Sequence, residues 1–313
     1  MPEPVRGPGA YYSGDVSILI DPPSWPAHGT FFSHLVSDAS LGELHGFARA
    51  QDLPERAFDR DHYDVPQSRY ADLVAAGALP LSATELVRRL IASGLRVRAR
   101  ERPERLDAVL LARWESLGLG APGLGRELLA RWSEQQRAYH DRAHLVAVLV
   151  SLDTLAGPHR QEAGHLPVYL AAWFHDAVYR GTATDELDSA ALAAELLPGV
   201  GVAAEVVDEV VRLVLLTTTH KPAPGDHAGA LLCDADLEVL ARSESAYRRY
   251  TAAVRREYAH VPDADFARGR AAILRGLLAG GSLYSSDRGR ELWEERARAN
   301  LESELAELEP MAR

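Results

Sequence analysis

The stretch LPVYLAAWFHDAVY, residues 166–179, places His175 and Asp176 at the end of an apolar helical run. Ionisable side chains on so apolar a surface are costly unless they are paired or coordinated. A divalent metal ion meets that requirement, because imidazole nitrogen and carboxylate oxygen are its usual protein ligands. Adjacent helical residues point about 100° apart, so His175 and Asp176 can hold one ion from one corner. The stretch therefore predicts a metal site among packed helices.

Other helices must supply the remaining ligands of such an ion. His144 lies upstream of His175, on a separate helix that we expect to begin near His140. Asp236 is expected to open a later helix with an apolar face, and Asp234 is expected to act as an N-terminal cap. Metal sites in helical bundles are assembled in this way, from inward side chains on facing helices. Asp234 and Asp236 both remain candidates for the last ligand at this point.

The order His…His-Asp…Asp resembles the HD superfamily of metal-dependent phosphohydrolases. The motifs YHxxxH (139–144), WFHDxVY (173–179) and DADL (234–237) together resemble the bacterial group of predicted HD-type phosphohydrolases, whose substrates are largely unassigned. The resemblance covers about residues 106–309 and implies an all-α HD-type helical bundle. It implies that one divalent ion is held by four ligands, with Asp236 preferred over Asp234: His144, His175, Asp176 and Asp236.

The resemblance implies hydrolysis of a phosphate ester in a small, nucleotide-like molecule, with manganese, iron, magnesium and zinc all compatible with the ligands. Such an ion polarises a phosphoryl oxygen and lowers the pKa of a bound water. Glu186 can orient that water, although an acid in the first turn of a helix is also favoured by the helix dipole. His220 and Lys221 can protonate a leaving group or contact phosphate, or they can simply compensate a helix C-terminus.

Substrate contacts are less sharply indicated. Lys221 is the only lysine among 34 basic residues, which favours a functional role. His140 is interpreted as a helix cap, or as a group that supports the metal ligands or contacts substrate. Arg255 and Arg270 are further candidates for binding phosphate. Two other functions stay open: a di-iron HD-type oxygenase with His140 and His220 as extra ligands, and a non-catalytic module that senses a nucleotide.

Residues 16–98 alternate short apolar runs with helical patterns, which predicts a small α/β domain. The run VSILI (16–20) predicts a strand, and a capping box at 40–43 predicts a helix through about Gln51. Further helices are predicted at 69–76 and 83–93, and short strands at 79–82 and 95–98. The motifs in this half resemble a small bacterial domain family of unknown function: DPPSWPAHG (21–29), SHLVSDASLGELHGFA (33–48) and DRDHYDVP (59–66).

A polar cleft is predicted at the strand ends of this first domain, where ligands of α/β proteins usually bind. Its candidate residues are His28, His34, Asp61, His62 and Asp64. The alternative is that Asp61 and Asp64 cap turns while the histidines lie on the surface.

The composition is consistent with two globular domains. The chain has 313 residues, and apolar positions recur at helical spacing beyond residue 105, which predicts about eight to ten helices. The stretch ARERPER (99–105) is the predicted linker. The net charge of −11 argues against binding to a nucleic acid duplex or an anionic membrane.

The remaining sequence features favour a cytoplasmic protein. The lone Cys233 excludes an intrachain disulfide. The first residues lack the apolar core of a signal peptide, and no apolar run approaches the length of a membrane helix. The expected partner is a small phosphorylated substrate, and the sequence leaves the oligomeric state open.

Overall fold

The computed structural model describes residues 18–93, 95–96, 102–157 and 165–311. The chain divides into two compact units, residues 1–97 and 98–313. The division falls beside the predicted linker at 99–105, of which only residues 102–105 are described. The outer residues of the predicted first domain, 16–17 and 97–98, also lie outside the described residues.

The N-terminal unit is an α/β structure with a six-stranded sheet. Its strands are β1 (Ile18–Ile20), β2 (Trp25–Ala27), β3 (Thr30–Ser37), β4 (Phe58–Asp59), β5 (His62–Pro66) and β6 (Leu79–Pro80). Its helices are α1 (Leu41–Ala50), α2 (Gln67–Ala75) and α3 (Ala83–Ala92). The strand order is β4-β5-β3-β1-β6, with β2 paired to β3. Only the β1–β6 pair is parallel.

Alternation along the strands gives this sheet two buried faces. Ile18 and Ile20 pack with α1 and α2, whereas Leu19 between them packs with α3. Side chains of successive strand residues point to opposite faces, so helices must cover both sides. Ser40 caps α1 by accepting a hydrogen bond from the Glu43 backbone N–H, as the capping box predicts. Residues 95 and 96 form no strand, contrary to the prediction at 95–98.

The described part of the C-terminal unit is helical, with ten α-helices. These are α4 (Pro103–Ser116), α5 (Pro122–Arg131), α6 (Arg142–Ala156), α7 (Leu166–Phe174), α8 (Asp185–Leu196), α9 (Ala204–Leu216), α10 (His227–Asp236), α11 (Glu244–Glu257), α12 (Asp263–Leu278) and α13 (Asp287–Leu308). Shorter 3₁₀ turns lie at Pro198–Val200 and Leu237–Ala241. None of the helices in the described residues is both long enough and apolar enough to cross a membrane.

Helix α7 is the centre of this unit, because residues 168–174 are all buried. Its Trp173 packs edge-on against Trp114 of α4, with ring centroids 5.2 Å apart. Gly125 of α5 lies so close to the Trp114 ring that a Cβ atom would clash with it. A second apolar cluster joins α11, α12 and α13 around Tyr284 and Leu301. Helix α7 therefore lies inside the bundle, and His175 and Asp176 directly follow its last residue, Phe174.

We expect the two units to separate on limited proteolysis near residues 99–105, because few contacts cross a boundary between compact units. The resistant product should be a C-terminal fragment of about 23 kDa from the 34.1 kDa chain. Mass spectrometry of a trypsin time course checks this. First cuts inside α6 or α7, with no resistant fragment, would contradict the division.

Candidate metal centre

Four ionisable side chains meet at the C-terminal end of α7. The Nε2 atoms of His144 and His175 lie 3.3 Å apart. Asp236 Oδ1 lies 3.0 Å from Nε2 of His144 and 3.6 Å from Nε2 of His175. Asp176 Oδ2 lies 3.2 Å from Nε2 of His175 and 3.8 Å from Nε2 of His144. Both carboxylates therefore approach the same pair of imidazole nitrogens.

Three separate elements deliver these side chains. His144 lies in the first turn of α6, which Asp141 caps by accepting hydrogen bonds from the backbone N–H groups of Ala143 and His144. His175 directly follows the last residue of α7. Asp236 is the last residue of α10 rather than the first residue of a helix, so that expectation is wrong. Helix α10 begins instead after Asp226, which accepts a hydrogen bond from the Gly229 N–H.

A backbone hydrogen bond orients one imidazole. His175 Nδ1 lies 2.9 Å from the carbonyl oxygen of Ala172, so Nδ1 donates to that oxygen and Nε2 is the ring nitrogen that faces the cluster. Trp132 packs beside both histidine rings, with centroids 6.1 Å from His144 and 5.4 Å from His175. Its indole N–H donates to the carbonyl of Trp173. The rings of both histidines therefore pack against one buried indole ring.

The charges in this cluster are strongly coupled. Burial alone would lower the pKa of His175, but the carboxylates of Asp176 and Asp236 outweigh it and raise that pKa well above the usual value. Burial would raise the pKa of both carboxyls, but His175 outweighs burial and lowers both. Burial lowers the pKa of His144. The two carboxylates therefore stabilise a positive charge at this point, carried either by a protonated ring or by a bound cation.

The donor set fits a divalent ion. Ligand atoms about 2.1 Å from a shared ion lie roughly 3.0 to 3.4 Å apart in octahedral or tetrahedral coordination. The carboxylate oxygens lie 3.0 to 3.8 Å from the imidazole nitrogens, and one donor atom each of His144, His175 and Asp176 lies within 4.8 Å of the other two. Nitrogen and carboxylate oxygen suit manganese, iron and zinc, and the carboxylates also suit magnesium. His144, His175 and Asp176 can therefore hold such an ion, and Asp236, which contacts both imidazoles, can join them after a side-chain adjustment.

Asp234 has a structural role. It is completely buried in α10 and accepts hydrogen bonds from the backbone N–H groups of Ser285 and Ser286 and from the Ser286 hydroxyl. Ser286 is the N-cap of α13. The sequence predicts that Asp234 caps its own helix. Asp234 instead anchors the start of α13. These hydrogen bonds account for both of its carboxylate oxygens and set it apart from Asp236.

His140 is not on the helix of His144, contrary to expectation, because it precedes the Asp141 cap. Its Nδ1 lies 2.7 Å from Oε2 of Glu257. Its ring stacks on Tyr179 at 4.2 Å and lies 5.7 Å from the ring of His144. His140 therefore borders the cluster, and Glu257 fixes which of its nitrogens carries hydrogen.

Glu257 is a residue that sequence reasoning missed. One of its oxygens accepts from the backbone N–H groups of Ala138, Tyr139 and His140, and the other accepts from the Tyr179 hydroxyl. Burial would raise its pKa, but the hydrogen bonds from His140 and from the backbone outweigh burial and lower it to about 2. In the sequence, only Arg255 of the stretch VRREY (254–258) is a candidate functional residue.

Arg137 was also missed, because one arginine is inconspicuous among so many. Its buried side chain donates to the carbonyl oxygens of His140, Asp176 and Ala177. It also lies over the rings of Trp132 and Tyr179. Arg137 therefore ties the segment before α6 to the backbone that follows His175.

His220 joins the cluster from a turn. It lies four residues beyond the last residue of α9 and so does not end that helix, with a left-handed φ of 52°. Its Nε2 lies 2.7 Å from Oδ2 of Asp236, the oxygen that does not face His144. A left-handed backbone at a residue other than glycine is uncommon and is often found at functional sites. Lys221 beside it is exposed and has no ion pair within the described residues.

The remaining candidates make no contact with the four-residue cluster. Glu186 is half-buried in the first turn of α8 and has no hydrogen bond within the described residues. The guanidinium of Arg255 binds Asp263 and the carbonyls of Tyr258 and Val261. Arg270 forms a two-point ion pair with Glu304. The two arginines therefore already have intramolecular partners.

The N-terminal candidates form a separate group. His34, His62 and Asp64 offer donor atoms within 4.8 Å of one another. Asp61 is buried against His62 and Arg96. His28 is exposed in the β2–β3 turn with a φ of 49° and is not a member of that group.

Asp234→Asn and Asp236→Asn should separate anchoring from metal binding. We expect Asp234→Asn to lower the free energy of unfolding by about 1 to 3 kcal/mol, because it places an amide against buried donors, while metal content is unchanged. Asp236→Asn should reduce metal content. Urea unfolding and elemental analysis of each variant check this, and loss of metal in the Asp234 variant would contradict the assignment.

Glu257→Gln should lose a stabilisation that depends on pH. Because the folded pKa is depressed, the carboxylate stabilises the fold above the unfolded pKa of about 4.5, and that contribution is lost as pH falls toward about 2. The difference in unfolding free energy between the parent and Glu257→Gln should be largest near pH 5, because Glu257 raises the pKa of His140 and protonated His140 strengthens the pair as pH falls from 7. Below that it should shrink by up to roughly 1.4 kcal/mol per pH unit. A difference independent of pH would contradict the ionic role.

Comparison with known proteins gives one family match. Residues 18–93 match the model of a family described as a protein of unknown function, DUF4031. No curated protein and no solved structure matches the chain. The match lies within the N-terminal unit and agrees with the resemblance of that half to a domain family of unknown function. The resemblance of residues 106–309 to the HD superfamily stays a prediction.

Proposed function

We propose that the C-terminal unit is an HD-type, metal-dependent phosphohydrolase that acts on a phosphate ester in a small, nucleotide-like molecule. The observation that carries this proposal is the convergence of two histidines and two aspartates from α6, the end of α7 and α10. Their order along the chain is that of the HD motif, and the oxygens of both aspartates lie 3.0 to 3.8 Å from the two imidazole nitrogens.

The roles of the four converging residues follow from their donor atoms. His144, His175, Asp176 and Asp236 would hold one divalent ion. Such an ion supplies Lewis-acid polarisation of a phosphoryl oxygen and a bound water of lowered pKa. The hydrogen bond from His175 Nδ1 to Ala172 keeps that ring oriented, and a bound ion would take the place of any Nε2 proton.

Two flanking histidines are suited to proton transfer. Glu257 accepts a hydrogen bond from Nδ1 of His140, so that Nε2 of the neutral ring can accept the proton of an attacking water. His220, when protonated, keeps its Nε2 hydrogen on Asp236 and has the Nδ1 hydrogen to give to a leaving oxygen. Its side chain is 23% exposed, so it can be reached by a bound substrate. Lys221 offers an exposed ammonium beside it for a phosphate group.

Turnover by matched variants tests the proposal. We expect the untagged protein, supplied in turn with Mn²⁺, Fe²⁺, Mg²⁺ or Zn²⁺, to hydrolyse at least one member of a panel of nucleoside monophosphates and sugar phosphates. His175→Gln and Asp176→Asn should each lower kcat/KM at least about 100-fold, because the ion supplies several kcal/mol to the transition state. His227→Gln is the control, since it changes an exposed histidine at the start of α10.

Folding and metal content are measured on the same samples. Circular dichroism should show that all three variants stay folded, and elemental analysis should show metal loss only in the two site variants. Full hydrolysis by a metal-free, folded variant would contradict the mechanism. Two irons per chain with oxygen consumption would point to an oxygenase instead, and tight nucleotide binding without turnover would point to a sensing module.

A further inference from the structure

The N-terminal unit carries a second group of metal-ligating side chains, placed by strand pairing. His34 of β3 lies opposite Asp64 of β5 in the antiparallel register. His62 precedes Asp64 by two residues on the same strand and so lies on the same face of the sheet. The donor atoms of these three side chains lie within 4.8 Å of one another. The sheet therefore brings two imidazoles and one carboxylate to a single point.

Both imidazoles are held from behind by buried carboxylates. His34 Nδ1 lies 2.9 Å from Oδ2 of Asp21, whose other oxygen accepts from the His34 backbone N–H. His62 Nδ1 lies 2.6 Å from Oδ1 of Asp61. The side chains of Asp21 and Asp61 are only 3% and 2% exposed. Histidines that bind metals typically give their other ring hydrogen to such a carboxylate, which fixes the tautomer and leaves Nε2 as the ligand.

The carboxylates of this group favour a cation. Asp21 and Asp61 are buried and contact one imidazole each, and Oδ1 of Asp64 lies 3.4 Å from Nε2 of His62. Arg96 pairs with Asp61 at 3.0 and 3.2 Å. Buried carboxylates beside neutral imidazoles are costly unless a positive charge compensates them. Either a divalent ion or protonated imidazole rings would supply it, and the experiment below distinguishes the two.

We propose that His34, His62 and Asp64 form a second divalent-metal site, with Zn²⁺ as the ion that its donors suit best. Two imidazoles and one carboxylate are a ligand set of catalytic zinc sites, which keep a further coordination position open. The side chains of His34 and Asp64 are 33% and 47% exposed, so a water or a small anion can reach that position. None of these residues belongs to the C-terminal cluster.

Zinc titration of the full chain tests this site by itself. The untagged parent carries His175→Gln and Asp176→Asn, which remove two of the three donors of the C-terminal group, and any Zn²⁺ still bound in that unit would survive His62→Gln. We expect calorimetry to show one equivalent of Zn²⁺ bound. Adding His62→Gln should abolish that binding. Adding Asp64→Asn, Asp21→Asn or Asp61→Asn should weaken it at least about 10-fold.

The controls separate a lost ligand from a lost fold. His28→Asn removes an exposed imidazole of the same unit and keeps a residue that tolerates its left-handed backbone, so zinc binding should be unchanged. Asp64 is half-exposed, so Asp64→Asn should keep the circular dichroism and melting temperature of the parent. The proposal is overturned if the folded parent binds no Zn²⁺, or if Asp64→Asn and the parent bind it equally.

Discussion

Two imidazole nitrogens 3.3 Å apart, each beside a carboxylate, are the constraint on which the C-terminal unit depends. In an apolar bundle such a group is stable only if every charge has a partner. Residues 168–174 of α7 are buried, and the two residues that follow the helix, His175 and Asp176, meet ionisable side chains of α6 and α10. The packing of the helices in the bundle therefore also sets the geometry of the site.

Long-range contacts hold the segments that helix packing alone would leave unfixed. Glu257 accepts hydrogen bonds from three successive backbone N–H groups ahead of α6, and Arg137 donates to the backbone carbonyls of His140 and Asp176. Both side chains are buried, and both satisfy backbone groups that no helix satisfies. They position His140 and the backbone after His175 without being donors of the cluster themselves.

The sequence was sufficient to predict the α/β and helical halves, because strand alternation and helical periodicity are local signals. The histidines and aspartates predicted as metal ligands do lie together, whereas their function stays a prediction. The sequence predicts Asp236 at the start of a helix, but Asp236 is the last residue of α10. The acids near the C-terminus of α10 resemble a helix start as much as its N-cap, Asp226, does. Glu257 could not be found, since it lies 117 residues from His140 and carries no local motif.

The N-terminal unit shows the same division between local and distant signals. His34, His62 and Asp64 stand out as residue types, but only the register of β3 on β5 shows that they meet. Asp21 follows β1 in a turn sequence and gave no sign of being a partner of His34, because that contact depends on the antiparallel pairing of β1 with β3.

Anomalous diffraction from crystals of the full chain grown with Mn²⁺ tests the central claim most directly. The account predicts a manganese peak about 2.0 to 2.3 Å from Nε2 of His144, Nε2 of His175 and oxygens of Asp176 and Asp236. Ordered side chains with no anomalous peak between them, at a manganese concentration that saturates known manganese enzymes, would contradict it.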